Sequence, residues 1–235
     1  GGHDWAKQKN HFVLPYTAYT LFDEFTDQAV VLERRRIKLV APLSGQETYR
    51  FPQPVGKKTC FYTLHSELAT LPQTYYDKGL RACSFRVCFS DEFVHDVQLL
   101  IELGMADNKP MKIGKQTIIP RDVTAKELNR AAQLSSSAPV KDMELIWVDI
   151  SGVRQRKNTL MSLYCVAKSN SRWKAPAGTV DTATPPSIIA HMIASKQILE
   201  RGVLPPEACV PPAPFFKELN KRGMVIKTKT KKLRR

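Results

Sequence analysis

The sequence lacks the short motifs with which a chain usually carries out chemistry unaided. It has no GxGxxG turn after a strand, no Walker loop, no Gly-x-Ser-x-Gly elbow and no histidine pair at the spacing that a metal needs. His95 has no second ligand at such a spacing, so we expect no metal site. No catalytic residue can be named. We expect a chain that cannot run a reaction by itself but could supply the substrate half of one.

Long apolar runs and paired cysteines are also missing. No run approaches the length that spans a bilayer, and no segment combines the basic start and apolar centre of a signal peptide. The five cysteines (Cys60, Cys83, Cys88, Cys165 and Cys209) form no CxxC pair, and each lies in an apolar context. Reduced, buried thiols are the default for such cysteines. We therefore expect a soluble, cytoplasmic chain with no membrane contact, no disulfide framework and no zinc site.

Acidic residues are scarce at the C-terminal end. The formal net charge is +14, and eight positive charges fall in residues 221–235, which contain no acid. The prediction is a solvated basic tail. A non-catalytic interaction domain that binds nucleic acid through this tail stays open as an alternative. Because the tail has no interleaved aromatic residues, we do not expect nucleic acid as a partner.

Apolar residues make up 43% of the 235 residues, enough to bury a core in one domain or in two closely packed ones. Charged or turn-forming residues separate β-rich runs into three predicted hairpins: 29–32 with 37–40, 112–119, and 143–153 with 159–168. Further expectations are helices at 18–25, 90–104 and 120–133, a linker at 135–139 and a last strand at 224–227. Helices and antiparallel strands do not alternate regularly, so the predicted class is α+β: a mixed, largely antiparallel sheet covered by helices, with a small helical insertion at about 90–135.

The stretch 62–67 (Tyr-Thr-Leu-His-Ser-Glu) is the first candidate site. Its pattern predicts a strand followed directly by a short helix, with Ser66 as the N-cap of the helix. Such a junction brings an imidazole, a hydroxyl and a carboxylate to the free N–H groups of a helix, where anionic ligand groups are favoured. Ordinary capping and solvation of these side chains is the alternative.

The stretch 178–187 is the second candidate. It is small, polar and rich in hydroxyls, and it precedes a predicted helix at 188–197. A loop that leads into a helix N-terminus suits contact with carboxylate or phosphate, and Pro185 and Pro186 would stiffen it. Plain helix capping also explains any one of these hydroxyls.

Several motifs, in their order and spacing, resemble the C-terminal, substrate-binding and dimerisation region of saccharopine dehydrogenase-like proteins. They are Pro15-Tyr16-Thr17 with Asp23-Glu24-Phe25-Thr26, the stretch 62–67, Ser84-Phe85-Arg86 with the 93–104 helix, Pro120-Arg121-Asp122-Val123, Ser187-Ile188-Ile189-Ala190, and Gly202-Val203-Leu204-Pro205-Pro206-Glu207 with Phe215, Leu219, Arg222 and Gly223. The resemblance covers nearly the whole chain, so it implies one such domain over residues 1–235.

The resemblance implies the role of this domain in an NAD(P)-dependent oxidoreductase that acts on amino-acid C–N bonds. It implies a homodimer, a small amino-acid-like substrate, and NAD or NADP held mainly by an N-terminal Rossmann domain that we expect to lie outside this chain. The implied substrate contacts are Thr63, His65, Ser66 and Glu67, with Arg86 as a carboxylate or structural anchor; Thr179, Asp181 and Thr182 are implied to form a loop facing the nicotinamide.

The sequence departs from the family pattern at two places. The fungal saccharopine reductases carry Asn-Arg-Asp-Ser where this chain has Leu64-His65-Ser66-Glu67. The resemblance implies that this arginine binds a substrate carboxylate, and a histidine cannot form the same bidentate hydrogen bonds. The family run Phe-Arg-Tyr-x-Gly becomes Phe85-Arg86-Val87-Cys88, which keeps the arginine and loses the glycine. We therefore do not expect saccharopine itself as the substrate. Gly1 and Gly2 match the position of the family's glycine pair beside the substrate, and a tag remnant is the alternative.

Overall fold

The computed structural model describes residues 2–4, 14, 16–134 and 142–233. The chain divides into two compact units. One, here called the sheet unit, joins Gly1–Ala6 to Val140–Arg235; the other, the inserted unit, is Lys7–Pro139. The predicted linker at 135–139 lies outside the described residues. The single family domain over residues 1–235, with its helical subdomain at about 90–135, stays a prediction.

The described residues form helices and antiparallel strands in mixed order, which confirms the α+β class. The helices are α1 (Ala18–Thr26), α2 (Glu67–Thr74), α3 (Asp91–Glu102), α4 (Pro120–Leu134), α5 (Ala177–Ala194), α6 (Pro206–Cys209) and α7 (Pro212–Lys221). The strands are β1 (Gly2–Asp4), β2 (Ala29–Glu33), β3 (Arg36–Val40), β4 (Glu47–Arg50), β5 (Lys57–Tyr62), β6 (Arg86–Val87), β7 (Met111–Ile113), β8 (Gln116–Ile118), β9 (Met143–Arg154), β10 (Lys157–Lys168) and β11 (Lys227–Lys232). All three predicted hairpins are present, as β2–β3, β7–β8 and β9–β10.

The sheet unit is built on a four-stranded antiparallel sheet in the order β1-β9-β10-β11. Helix α5 packs on β9 and β10, and α7 packs on α5. Their shared core contains Cys165 from the sheet, Ile188 and Met192 from α5, Leu219 from α7, and Met224. These apolar contacts hold α5 against one face of the sheet.

The basic tail is exposed to solvent, as predicted, but part of it forms the edge strand β11. The predicted strand at 224–227 stops where the observed strand begins. All of residues 227–232 pair with residues 159–164 of β10. Met224, which that prediction placed in the strand, is instead buried in the core. Lysine has a low β-propensity, so the composition of residues 227–232 did not predict a strand. The unpaired edge of β10 supplies the backbone partners, and exposed lysines are well suited to an edge strand.

The inserted unit has its core where α1, α3 and α4 meet. Phe22 and Phe25 of α1, Val97 of α3 and Ala125 of α4 belong to one buried cluster. Helix α3 begins directly after the predicted N-cap, because the Ser90 hydroxyl accepts a hydrogen bond from the N–H of Phe93 at 3.2 Å, and it ends two residues before Gly104. Gly104 follows the helix with a φ of +74°, a left-handed conformation that glycine adopts without strain.

A disulfide joins Cys60 to Cys88, so the prediction of five reduced thiols is wrong. Strands β5 and β6 pair Phe61 with Val87, and this register sets Cys60 opposite Cys88 with their Cα atoms 4.3 Å apart. Such a separation is typical of directly opposed residues in antiparallel strands. The two cysteines are 28 residues apart in sequence and only strand pairing brings them together. Cys83, Cys165 and Cys209 are free thiols.

The predicted loop at 178–187 is also wrong, since these residues form the first half of α5. The helix starts earlier than predicted because the Asp142 carboxylate accepts a hydrogen bond from the N–H of Ala177 at 2.9 Å. Pro185 and Pro186 lie inside the helix. Prolines disfavour a helix interior, but Val180 and Thr184 are buried there, so tertiary packing overrides the local preference.

Candidate functional site

A cavity of about 830 Å³ lies in the inserted unit beside α1, α2 and the β2–β3 hairpin. Its volume is in the range of pockets that hold small metabolites. The lining residues are Thr20, Asp23, Glu24, Val30, Ile37, Leu64, His65, Ser66, Leu68, Ala69, Pro72 and Gln73. Two of the residues predicted from the sequence, His65 and Ser66, are therefore in its wall.

His65 is held in place on two sides. Its ring stacks on Phe85, with centroids 3.7 Å apart and planes at 14°, and its Nδ1 contacts the carboxylate of Glu67. When Nδ1 donates to that carboxylate, Nε2 of the neutral ring is left as an acceptor. Burial lowers the pKa of His65, which favours the neutral imidazole. The imidazole is thus a positioned polar group in the cavity wall.

Ser66 and Glu67 stand at the start of α2, as predicted, but Ser66 does not cap it. Ser66 has helical backbone angles, and its side chain makes no capping hydrogen bond. Of the alternative stated from the sequence, capping therefore does not account for this hydroxyl, whereas solvation agrees with its exposure. Glu67 supports His65 and is not among the residues that line the cavity.

Arg86 has a dense set of contacts away from the cavity. Its Nη2 donates to the Tyr62 hydroxyl at 2.6 Å, Nη1 to Ser84 Oγ at 3.2 Å and Nε to the Gly45 carbonyl at 3.3 Å, and its guanidinium lies 4.0 Å from the centre of the Tyr62 ring. Glu47 completes the cluster with an ion pair at 3.3 Å. Of the two roles expected for Arg86, this geometry suits the structural anchor.

Thr63 is almost fully buried at the end of β5, and its Oγ1 makes no hydrogen bond with the described residues. It does not line the cavity. The structure thus brings His65, Ser66 and Glu67 together and leaves Thr63 and Arg86 outside the cavity wall.

Glu24 is the cavity residue that sequence reasoning missed. Its side chain is only 7% exposed, and its carboxylate accepts a hydrogen bond from the Tyr16 hydroxyl. Burial raises the pKa of Glu24 to about 7, against the Tyr16 hydrogen bond, which lowers it. A visible signal was its place in α1: Glu24 is three residues after Leu21 and borders the apolar stripe of Leu21, Phe22 and Phe25.

Asp23, the neighbour of Glu24, already has a cation. Its Oδ1 pairs with the Arg121 guanidinium of α4 at 2.5 Å. Arg121 is itself buried, at 6% exposure, and also donates to the carbonyl of Tyr19 at 2.5 Å. This pair links α1 to α4 and partly offsets the charge of Asp23.

The second candidate stretch lies in the sheet unit. Thr179 and Thr182 are exposed on α5, whereas Asp181 is buried and shares a hydrogen bond with Glu144 of β9. Burial raises the pKa of both carboxyl groups, that of Glu144 to about 8. Asp181 is thus part of the packing between α5 and β9, and the exposed polar groups of the stretch are the two threonines.

The model of one family matches residues 3–224: the saccharopine dehydrogenase C-terminal domain. The chain belongs to this family. Among solved structures, it is similar to apo histidine-tagged saccharopine dehydrogenase (L-Glu forming) from Saccharomyces cerevisiae, with 15% identity and a TM-score of 0.68. The match covers 98% of this chain and 65% of the yeast chain, so the chain spans less than two thirds of the length of the yeast enzyme. At that identity the likeness shows the fold.

Family membership makes the chain a dehydrogenase-like domain, related to enzymes of amino-acid metabolism. Within the described ranges, no helix of the chain has the length and apolar character needed to cross a membrane. The part of the chain that the structure describes also contains no group of three or more His, Cys, Asp or Glu residues placed to hold a metal ion.

Proposed function

We propose that this chain is the substrate-binding and dimerisation part of an NAD(P)-dependent oxidoreductase that acts on the C–N bond of an amino acid or imine. The observation that carries the proposal is the cavity beside α2, in a chain of this family, with His65 and Ser66 in its wall. His65 is oriented by Phe85 and Glu67, and such preorganisation is what a binding site for a polar metabolite needs.

The nicotinamide cofactor is proposed to be held mainly by a dinucleotide-binding domain outside this chain. The start of α5 does not fit a phosphate, because the Asp142 carboxylate already accepts from the N–H of Ala177 there. The exposed hydroxyls of Thr179 and Thr182 fit a neutral polar group, so we retain them as candidates for contact with the nicotinamide carboxamide. Asp181 is buried and is not retained. When bound, the cofactor supplies hydride chemistry, which this chain's residues assist by holding the substrate.

A second copy of the chain is proposed to cover the part of the α5-bearing face of the sheet that α5 leaves exposed. Ile146, Val148 and Ile150 form a row along β9 on one face, with exposures of 39%, 48% and 52%. The register places Leu163 and Met161 of β10 opposite Val148 and Ile150, which extends the apolar surface. An exposed apolar face of this kind is typical of an interface. The lysine-rich edge strand β11 repels another copy of itself, so a homodimer through the face is favoured over one through this edge.

Ligand titration tests the substrate role. The 235-residue chain is titrated calorimetrically with a panel of amino acids and secondary-amine amino acids, as wild type, His65→Asn and the control His95→Asn. At least one ligand should bind, and His65→Asn should weaken it roughly tenfold through a lost charge-assisted hydrogen bond, whereas His95→Asn should not. In the natural polypeptide, the same ligand should support oxidation or reduction of the nicotinamide cofactor.

Two results would count against the proposal. One is that no amino acid of the panel binds. The other is salt-sensitive retention on heparin or DNA that is lost when Lys229 and Lys231 of β11 are both changed to Gln; this would favour the nucleic-acid-binding alternative.

A further inference from the structure

The cavity beside α2 is acidic. Its described lining contains two acidic residues, Asp23 and Glu24, together with His65, and no lysine or arginine. This is notable in a chain with a net charge of +14. A negatively charged ligand group in this cavity would be repelled by the ionised acidic residues.

The other walls of the cavity are apolar. Val30 and Ile37 come from the β2–β3 hairpin, and Leu64, Leu68 and Pro72 come from α2 and the turn before it. Ile37 is 54% exposed, which leaves apolar surface available for contact. Aliphatic walls of this kind stabilise an alkyl chain by removing it from water.

Glu24 differs from Asp23 in its partners. Asp23 is paired with Arg121, whereas the described residues place no cation on Glu24, whose partner is the neutral hydroxyl of Tyr16. Burying an ionised carboxylate without a cation beside it has a large desolvation free energy, and a cationic ligand would offset much of that free energy. Among the described lining residues, Glu24 is therefore the carboxyl that an ammonium can complement.

We propose that the cavity binds the protonated amine of an aliphatic ligand, with Glu24 recognising the ammonium group and the apolar walls contacting the alkyl chain. Glu24 is then the residue that determines specificity for a cationic ligand end. This deepens the proposed function and rests on it, since it specifies which end of an amino-acid-like substrate enters the inserted unit.

Binding of an ammonium group should be coupled to proton release from Glu24. The pKa of Glu24 is about 7 in the free protein, and a neighbouring cation would lower it. Affinity should therefore rise as the pH increases through about 7. The other titratable or charged groups around it are Tyr16, Asp23 with its Arg121, and His65 with its Glu67. Loss of the positive charge on His65 with rising pH would also strengthen binding of a cation. Only a Glu24 variant therefore separates the contribution of the Glu24 carboxyl from that of His65.

The experiment compares three probes of equal chain length: n-pentylamine, pentan-1-ol and pentanoate. Each is titrated calorimetrically into the 235-residue chain below and above neutral pH. The amine should bind roughly tenfold or more tightly than the alcohol above neutral pH, because only the amine makes a charge-assisted hydrogen bond. Pentanoate should bind more weakly than both. Amine binding should release protons, seen as a dependence of the measured heat on the buffer.

Glu24→Gln should abolish the preference for the amine over the alcohol and flatten its pH dependence. The matched control Glu102→Gln, at the exposed end of α3, should leave both unchanged. Tyr16→Phe keeps the carboxyl and should keep the preference. A folding defect in Glu24→Gln does not leave the question open, because the wild-type carboxyl can be observed directly. The Glu24 carboxyl carbon, followed by NMR, should move toward its ionised position when the amine is added.

The inference is overturned if the alcohol binds as well as the amine, if pentanoate is preferred, if no probe binds, or if Glu24→Gln keeps the preference. Equal binding of amine and alcohol would leave the proposed function standing, since the cavity would still hold a ligand. Conversely, an amine preference lost in Glu24→Gln together with no binding by any amino acid would support the inference and count against the proposed function.

Discussion

The carboxyl groups of Glu144 and Asp181 share a hydrogen bond between β9 and α5. Two carboxyl groups can do this only when at least one is protonated. Burial and the nearby Asp181 charge raise the pKa of Glu144 to about 8, so the pair keeps its proton near neutral pH. The contact between helix and sheet in this unit therefore depends on pH.

Stability of the sheet unit should fall as the pH rises. The pKa of Glu144 is about 8 in the folded chain against an ordinary value of 4.5, so its contribution is fully present below pH 4.5 and is lost as the pH rises through 8. Urea unfolding followed from about pH 5 to about pH 9 should show this decline. Glu144→Gln keeps a neutral hydrogen-bonding group and should flatten the curve; Glu200→Gln, an exposed control in the same unit, should not. A wild-type curve that rises over this range would contradict the prediction.

Loss of the Cys60–Cys88 disulfide should destabilise the inserted unit. The bond closes a loop of 28 residues, for which removal costs about 3.6 kcal/mol. The double change Cys60→Ser with Cys88→Ser should lower the urea midpoint of this unit, whereas Cys209→Ser, which removes a free thiol from the other unit, should have little effect on it. Thiol titration of the unfolded, unreduced protein should find Cys83, Cys165 and Cys209 reactive. Finding all five cysteines reactive would refute the bond.

Arg86 should prove to be a structural residue. Arg86→Lys loses the forked contacts to Tyr62, Ser84 and Gly45, and the expected cost is about 1–3 kcal/mol of unfolding free energy. Ligand affinity at the cavity should stay within about twofold of wild type, because Arg86 does not line it. A large loss of ligand affinity at unchanged stability would instead support the carboxylate-anchor role.

The proposed homodimer should depend on one face of β9. Val148→Asp places a charge in the exposed apolar row and should give a monomer in light scattering. Val153→Asp is the matched control, since it changes the same residue type on the opposite face of the same strand, where Val153 is 74% exposed. High salt should not dissociate the wild-type dimer. A monomeric wild-type chain, or equal loss of the dimer in both variants, would contradict this interface.

Local patterns were sufficient where local interactions decide the structure. Helix α3 follows from its apolar stripe, the Ser90 hydroxyl and Gly104, all within a few residues of one another. The β9–β10 hairpin follows from two β-rich runs and a short turn. The junction of β5 and α2 was likewise visible, with His65 and Ser66 as candidate site residues.

Local patterns failed where distant segments decide the structure. Strand β11 exists because β10 offers an unpaired edge, and α5 starts at Ala177 because Asp142, 35 residues earlier, accepts from its N–H. Glu24 was overlooked because it lines the cavity only when α1 packs beside the β2–β3 hairpin and α2.

The amino-acid order alone determined the α+β class, most helix and hairpin positions and the family resemblance, because each depends on residue spacing or on motifs in series. The tertiary structure alone decided the disulfide, the carboxyl pair of Glu144 and Asp181, the contacts of Arg86 with Tyr62, Ser84 and Gly45, and the acidic character of the cavity. Each of these joins residues from separate elements, and their chemistry changes through burial and proximity, which a linear sequence does not display.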